Sequence, residues 1–193
     1  MNKKKVLLVG NGQSVNAMLE ESLLVEGYVL VEKVISCTNL VNDIKQFLPS
    51  VVVIDMESPD DFVFDRLIKV NAQCPVPVVL FSDTGETEII KKAVKANVGA
   101  FVADGLTARR VKPVIELAIE RFKEISNLQS ELVDTKKQLE ERKIIEKAKG
   151  ILMQRNNVSE DEAYQSIRKK AMKQNKKLIE VASNVIELSE MFQ

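Results

Sequence analysis

Four places in the first half of the chain put polar groups directly after short apolar runs. Gly10 and Asn11 follow Lys5–Val9, Asp55 follows Val51-Val52-Val53-Ile54, Ser82 and Asp83 follow Val78–Phe81, and Asp104 follows Ala100–Ala103. Runs this short and this apolar read as strands buried on both faces of a parallel sheet, and in such sheets functional groups gather beyond the carboxyl ends of the strands. A carboxylate at the tip of a central strand, as Asp55 would be, can accept a phosphoryl group or hold a metal ion. The competing reading is a strand-end residue with a role in the fold alone. The second half carries a different chemistry: between Arg142 and Lys177 there are 11 basic residues against 4 acidic ones. Such a surplus suits a polyanion partner, although helices near chain ends are also commonly covered with solvated lysines.

The elements that must position these groups follow from the hydrophobic pattern. Val29–Ile35 is β-rich but interrupted by Glu32 and Lys33, which predicts a more exposed fifth strand. Between the strands, apolar residues recur at helical spacing: Val15/Met18/Leu19/Leu23, Leu40/Ile44/Phe47/Leu48, Phe64/Leu67/Ile68 and Ile89/Ile90/Ala93/Val94. Strands alternating with helices predict an α/β fold with a five-stranded, doubly wound parallel sheet. Pro49, Pro59, Pro75 and Pro77 fall at the edges of these elements, where a missing N–H does least harm.

After Pro113, glycine and proline vanish until Gly150, which predicts one long helix. Within it Ile125, Leu128, Leu132, Thr135, Leu139 and Arg142 follow a 3-4 spacing, the seam of a coiled coil weakened by Thr135 and Arg142. Either two copies pair along this stripe or it packs on its own domain. The helix runs on through Ile144, Ile145, Ala148, Ile151 and Leu152 and should stop near Arg155-Asn156-Asn157. Ser159 and Glu162 form a capping-box pattern that starts another helix, with Ala163, Tyr164, Ile167 and Ala171 on its apolar face. Asn175 reads as a cap for a last helix bearing Leu178, Val181, Ala182, Val185 and Ile186. Gly150 costs roughly 1 kcal/mol in a helix interior, which either a close helix crossing or close approach of a nucleic-acid backbone would justify. The expected organisation is 1–122, a sheet domain; 123–141, a coiled-coil linker helix; and 142–193, a three-helix module.

Composition removes several function classes. The 193 residues are 45% hydrophobic and 29% charged, enough for a packed core. There is no histidine, which excludes His-dependent triads and His-ligated zinc, and the two cysteines, Cys37 and Cys74, form no CxxC pair. No nucleophile and base can be paired, so no enzyme, cofactor or metal is expected. The apolar run before Gly10 is too short for a secretory signal and no 18-residue apolar stretch occurs, so a cytoplasmic location without membrane contact is expected. Tyr164 is the only aromatic residue between Phe122 and Phe192, which speaks against an aromatic stacking platform of the RRM type.

The strand-end pattern around Asp55 resembles the receiver domain of bacterial response regulators. The resemblance places Asp55 at the phospho-acceptor position, Ser82 at the hydroxyl that senses the phosphoryl group and Phe101 at the switch aromatic. The sequence departs from the family where chemistry is most demanding. Gly10 and Asn11 stand where two carboxylates would hold Mg²⁺, and Asp104 and Gly105 replace a lysine–proline pair. One carboxylate holds Mg²⁺ poorly, and a second anion repels an aspartyl phosphate, so Asp55 and Ser82 are expected to be phospho-acceptor-like without productive phosphorylation. The run from Arg142 to Met153, with Ser159, Glu162-Ala163-Tyr164, Ile167-Arg168, Ala171, Asn175, Lys177-Leu178 and Val181-Ala182, resembles the ANTAR domain, a three-helix RNA-binding module of transcription antiterminators. Ile54–Pro59, Val102–Gly105, Ala118–Phe122 and Leu139–Arg142 look like the nitrate-responsive NasT-type members.

That resemblance implies transcription antitermination by binding hairpins in nascent leader mRNA. It implies control by a nitrate/nitrite-sensor protein, NasS-like, and a homodimer when active, with the RNA polymerase complex affected only indirectly. The RNA-contacting residues expected on charge are Lys147, Lys149, Arg155, Arg168, Lys169, Lys176 and Lys177. The alternatives are a response regulator activated by phosphorylation of Asp55 and a DNA-binding response regulator.

Overall fold

The computed structural model describes residues 3–10, 16–103 and 108–191. Among the described residues there are five strands: β1 (Lys5–Val9), β2 (Val29–Val34), β3 (Val51–Met56), β4 (Val78–Ser82) and β5 (Ala100–Ala103). All pair in parallel, in the order β2-β1-β3-β4-β5. The helices are α1 (Ala17–Val25), α2 (Leu40–Phe47), α3 (Asp61–Gln73), α4 (Thr87–Lys95), α5 (Ala108–Asn156), α6 (Glu160–Gln174) and α7 (Leu178–Glu190). The chain packs as two compact units, residues 1–126 and 127–193.

In the first unit alternate residues of the three central strands enter opposite cores. Leu7, Val9, Val52, Ile54, Val78 and Leu80 pack under α2, α3 and α4 with Leu40, Phe64, Leu67 and Ala93. Val6, Leu8, Val51, Val53, Val79 and Phe81 pack on the other face with Leu19 and Leu23 of α1 and Val111, Ile115 and Ala118 of α5. This two-sided burial is why the strands read as unbroken apolar runs. β2 lies at one edge and is half exposed, as Glu32 and Lys33 implied. Met18, Ile68, Ile90 and Val94, which helical spacing placed on apolar faces, are 41–73% exposed, and Leu48, also expected on such a face, lies past the end of α2 in the left-handed conformation and is 70% exposed. A helix laid on a flat sheet buries a narrower stripe than its apolar residues cover.

α5 begins before Pro113, which lies inside it. In the second turn a proline leaves one carbonyl, that of Arg109, without its intrahelical donor. Two further bonds tie the helix to the sheet's lower end: the Tyr28 hydroxyl donates to Glu116 Oε1 at 2.7 Å, and Lys4 pairs with the other Glu116 oxygen. The Lys4 ammonium and the Tyr28 hydroxyl hold the Glu116 carboxyl below its ordinary range.

The second unit has a core of small and branched residues. Ala148 of α5, Ile167 and Ala171 of α6, and Val181 and Ala182 of α7 are buried, flanked by Ile144, Ile145, Leu152, Leu178, Val185 and Ile186. The capping box at Ser159 is present: Ser159 Oγ accepts from the Glu162 N–H at 3.3 Å, and Glu162 Oε2 accepts from the Ser159 N–H at 2.9 Å. Asn175 closes α6 in the left-handed conformation (φ 51°, ψ 40°) rather than opening α7, whose N-cap is Lys177. Asparagine tolerates this conformation better than most residues, so it ends a helix as readily as it starts one. Among the described residues no helix is long and apolar enough to cross a membrane.

Candidate nucleic-acid interface and the receiver-like site

Asp55 lies near the carboxyl end of β3, half-buried, with Phe81 of β4 as its register partner. Burial raises its pKa above the ordinary carboxylate range; Asn16 lowers it in part, and the charge of Asp83 raises it further. Ser82 ends β4 opposite Met56. Its hydroxyl donates to the Glu57 carbonyl at 3.0 Å and accepts from the Thr84 N–H at 3.2 Å, while the Asp83 N–H donates to the same carbonyl at 3.1 Å. The hydroxyl is thus engaged by backbone on both sides. Gly85 brings the next loop so close to β5 that a Cβ there would lie 2.9 Å from Ala103 Cβ. Phe101 is partly buried against the α2–α4 core. Among the described residues no cluster of carboxylates, cysteines or histidines could hold a metal ion. Asn11, Asp104 and Gly105 lie outside the described residues.

In the second unit the basic residues separate by environment. Arg168 and Lys169 are exposed on α6, Lys176 and Lys177 are exposed at the α6–α7 junction, and Arg155 is exposed near the end of α5. Lys147 pairs with Glu190 at 3.0 Å, with both side chains about 60% exposed, so the pair is weak and easily exchanged. Lys149 is different. Its side chain is 9% exposed and its ammonium meets Glu146 and Glu160, each at 2.7 Å, joining α5 to the first turn of α6. Both carboxylates hold its pKa above the ordinary lysine value. An RNA phosphate would have to displace both carboxylates to reach this ammonium. The i,i+3 partner Glu146 was visible in the sequence; Glu160 reaches Lys149 only through the α5–α6 packing.

Gly150 is not explained by a helix crossing, since a Cβ there would meet nothing within 4 Å. Tyr164, expected in the core, is half-buried and faces a shallow depression with Arg168, Met172, Asn175 and Lys176. Its spacing of four from Arg168 on one helix is the signal that could have linked the two.

The 2-1-3-4-5 parallel sheet with a carboxylate at the end of its third strand defines a receiver-type fold. Solved structures agree on the fold. The signal receiver domain of a modulated diguanylate cyclase from Desulfovibrio desulfuricans G20 superposes with a TM-score of 0.55 at 20% identity, over 63% of this chain and 98% of that one. The signal receiver domain of a LuxO repressor protein from Vibrio parahaemolyticus also gives 0.55 at 20% identity, over 66% and 98%. Residues 134–186 match the ANTAR domain family. Residues 134–186 thus carry an ANTAR domain, and the N-terminal unit has the receiver fold. The chain is similar to the transcriptional regulatory protein PdtaR of Mycobacterium tuberculosis, 27% identical over 184 residues, 95% of this chain and 90% of that protein. It also resembles the nitrate regulatory protein of Klebsiella oxytoca, 38% identical over 79 residues, 41% of this chain and 20% of that protein.

Two substitutions test these assignments. A carboxyl with a raised folded pKa costs stability once ionised, so Asp55→Asn should raise the urea midpoint at pH 7. The gain should fade on acidification and be gone below the ordinary value of 3.8, where both states are protonated. An unchanged midpoint at pH 7 would refute the burial cost. Gly150→Ala should stabilise the protein by up to about 1 kcal/mol, read from urea unfolding; destabilisation would reveal a neighbour that the open space denies.

Proposed function

We propose that the chain is a transcription antitermination regulator that binds hairpins in nascent leader mRNA through residues 142–193. The observation that carries this reading is the ANTAR match over 134–186 together with a surface on which Arg168, Lys169, Lys176 and Lys177 remain exposed. Exposed cations can neutralise phosphates, and the arginines can also fork onto base edges. Lys147 joins them if it releases Glu190, and Arg155 lies at the end of the same helix; Lys149 is withdrawn from the contact set. Holding one hairpin prevents a competing terminator from forming, so the RNA polymerase complex is affected only through the RNA.

Input through a sensor protein suits the first unit better than phosphorylation. Ser82 is bonded to backbone, Asp55 already resists ionisation, and the sequence lacks the carboxylate pair and the lysine that an aspartyl phosphate needs. The likeness to the Klebsiella nitrate regulatory protein supports a nitrate/nitrite-sensing, NasS-like partner and a role in nitrate assimilation. Residues 127–140 are exposed all round the helix, with Leu128, Leu132 and Leu139 54–58% exposed. An exposed leucine stripe at 3-4 spacing supports homodimerisation along it.

Full-length protein should bind a leader hairpin more tightly than a loop-mutated hairpin or duplex DNA, and Lys177→Ala should weaken all RNAs alike while reducing the salt slope by about 1. Equal affinity for all three nucleic acids would leave only nonspecific electrostatics and sink the antiterminator reading. Replacing Leu128 and Leu132 together with Asp would bury charges in an apolar seam and should weaken the dimer by several kcal/mol in sedimentation. A wild type that sediments as a monomer throughout the micromolar range would show that the stripe pairs with nothing.

A further inference from the structure

We infer that the depression on the α6–α7 junction is a pocket for one unpaired nucleotide of the bound RNA; the inference rests on the hairpin-binding reading and adds the place where a base is held. The depression is shallow and open to solvent, with about 380 Å³ of accessible space, at the lower end of the range of roughly 300–1,000 Å³ that ligand sites occupy. It is lined by Tyr164, Arg168, Ala171, Met172, Asn175, Lys176 and Leu178.

The chemistry of the lining is that of a nucleotide. Tyr164, Arg168, Ala171, Met172 and Asn175 recur at i, i+4, i+7, i+8 and i+11, so they share one face of α6 and its cap. Ala171 has no side chain beyond Cβ and forms a buried floor, while Met172, 73% exposed, rises beside it. A phenol ring and a guanidinium plane one helical turn apart present two flat faces on which a base can stack. The side-chain amide of Asn175 offers both a donor and an acceptor for a base edge, and Lys176 next to it offers a charge for the attached phosphate. The left-handed backbone at Asn175 turns the chain there, so that amide and ammonium stand at the end of the groove rather than along the helix.

These groups are also uncommitted. Among the described residues Arg168 and Lys176 have no ion pair and the side chains of Tyr164 and Asn175 have no hydrogen bond, whereas Lys147 and Lys149 are both paired with carboxylates. Cations alone would equally suit an acidic peptide. The aromatic ring, the planar guanidinium and the amide together favour a base with its phosphate. Tyr164, the only aromatic residue between Phe122 and Phe192, is thus placed for a single stacked base, where an RRM sheet would hold a row of them.

The test uses full-length protein and a stem-loop RNA selected by the wild type from a pool with a fixed stem and randomised loop. Versions of the winner with each loop base removed in turn complete the set. Tyr164→Ala should weaken the intact stem-loop roughly 5- to 150-fold, the range for loss of one base–aromatic stack, whereas Tyr164→Phe should stay near wild type. Against one particular abasic loop the Tyr164→Ala penalty should disappear. Arg168→Lys, which keeps charge but loses the plane, and Asn175→Gly, which keeps the backbone turn but loses the amide, should show the same loop-specific pattern without unfolding the helices. The inference falls if all these variants discriminate intact from abasic loops as the wild type does while Lys177→Ala still weakens binding; hairpin binding would then stand and the pocket would not. It also falls if polyglutamate displaces the RNA in a Tyr164-dependent way, which would make the groove an acidic-peptide site. If the wild type selects no stem-loop over duplex DNA, the hairpin reading itself fails and takes the pocket with it.

Discussion

Burial of β1, β3 and β4 on both faces is the constraint from which the first unit follows. Their side chains are 0–5% exposed apart from the strand ends, so no polar group can sit along them. Polar chemistry is pushed to the carboxyl ends, where Asp55 and Ser82 lie. The same burial that places Asp55 there raises its pKa, and the charge of Asp83 adds to the rise while Asn16 offsets it in part. The Ser82 hydroxyl and the Asp83 N–H converge on one carbonyl, Glu57, which ties the ends of β3 and β4 together. The site keeps the receiver fold's strand-end arrangement, and its hydroxyl is used for internal bonding.

In the second unit, one type of residue performs two tasks according to its neighbours. Lys149 is enclosed and doubly paired, and it holds α5 against α6; Lys176 and Lys177, at a helix junction, remain open to a partner. A module whose buried residues are mainly Ala, Ile and Val has little apolar area to bury and is correspondingly marginal. The capping box and the Lys149 ion pairs therefore matter more to it than similar features would to the sheet unit. Lys149 contributes to that stability, while Lys176 and Lys177 stay exposed.

The two halves differed in how much could be read before folding. In the sheet, periodicity is strong: four continuous apolar runs and one interrupted run located all five strands, and the interruption at Glu32-Lys33 marked β2 as an edge. Burial on each helix was harder to read, because Met18, Ile68 and Val94 fit a helical stripe yet lie beyond the width of the sheet contact. The capping box was legible because both of its partners are three residues apart. Asn175 was read at the wrong end of a gap, since an asparagine suits either a cap or a left-handed turn and only the backbone angle distinguishes them.

What the amino-acid sequence determined by itself was local or periodic: the strands, the long helix, the ANTAR pattern, the charge surplus and the absence of histidine chemistry. Which cations are available was decided only by tertiary structure. Whether a lysine faces a carboxylate depends on residues such as Glu160 that are 11 positions away from Lys149 and come within 2.7 Å only when α6 folds back on α5. The same holds for Gly150, whose open surroundings no spacing reveals, and for the depression at Tyr164, which exists only because the α6–α7 turn brings Lys176 and Leu178 beside that face. Periodicity reports which way a side chain points along its own element, and availability depends on what another element places in front of it.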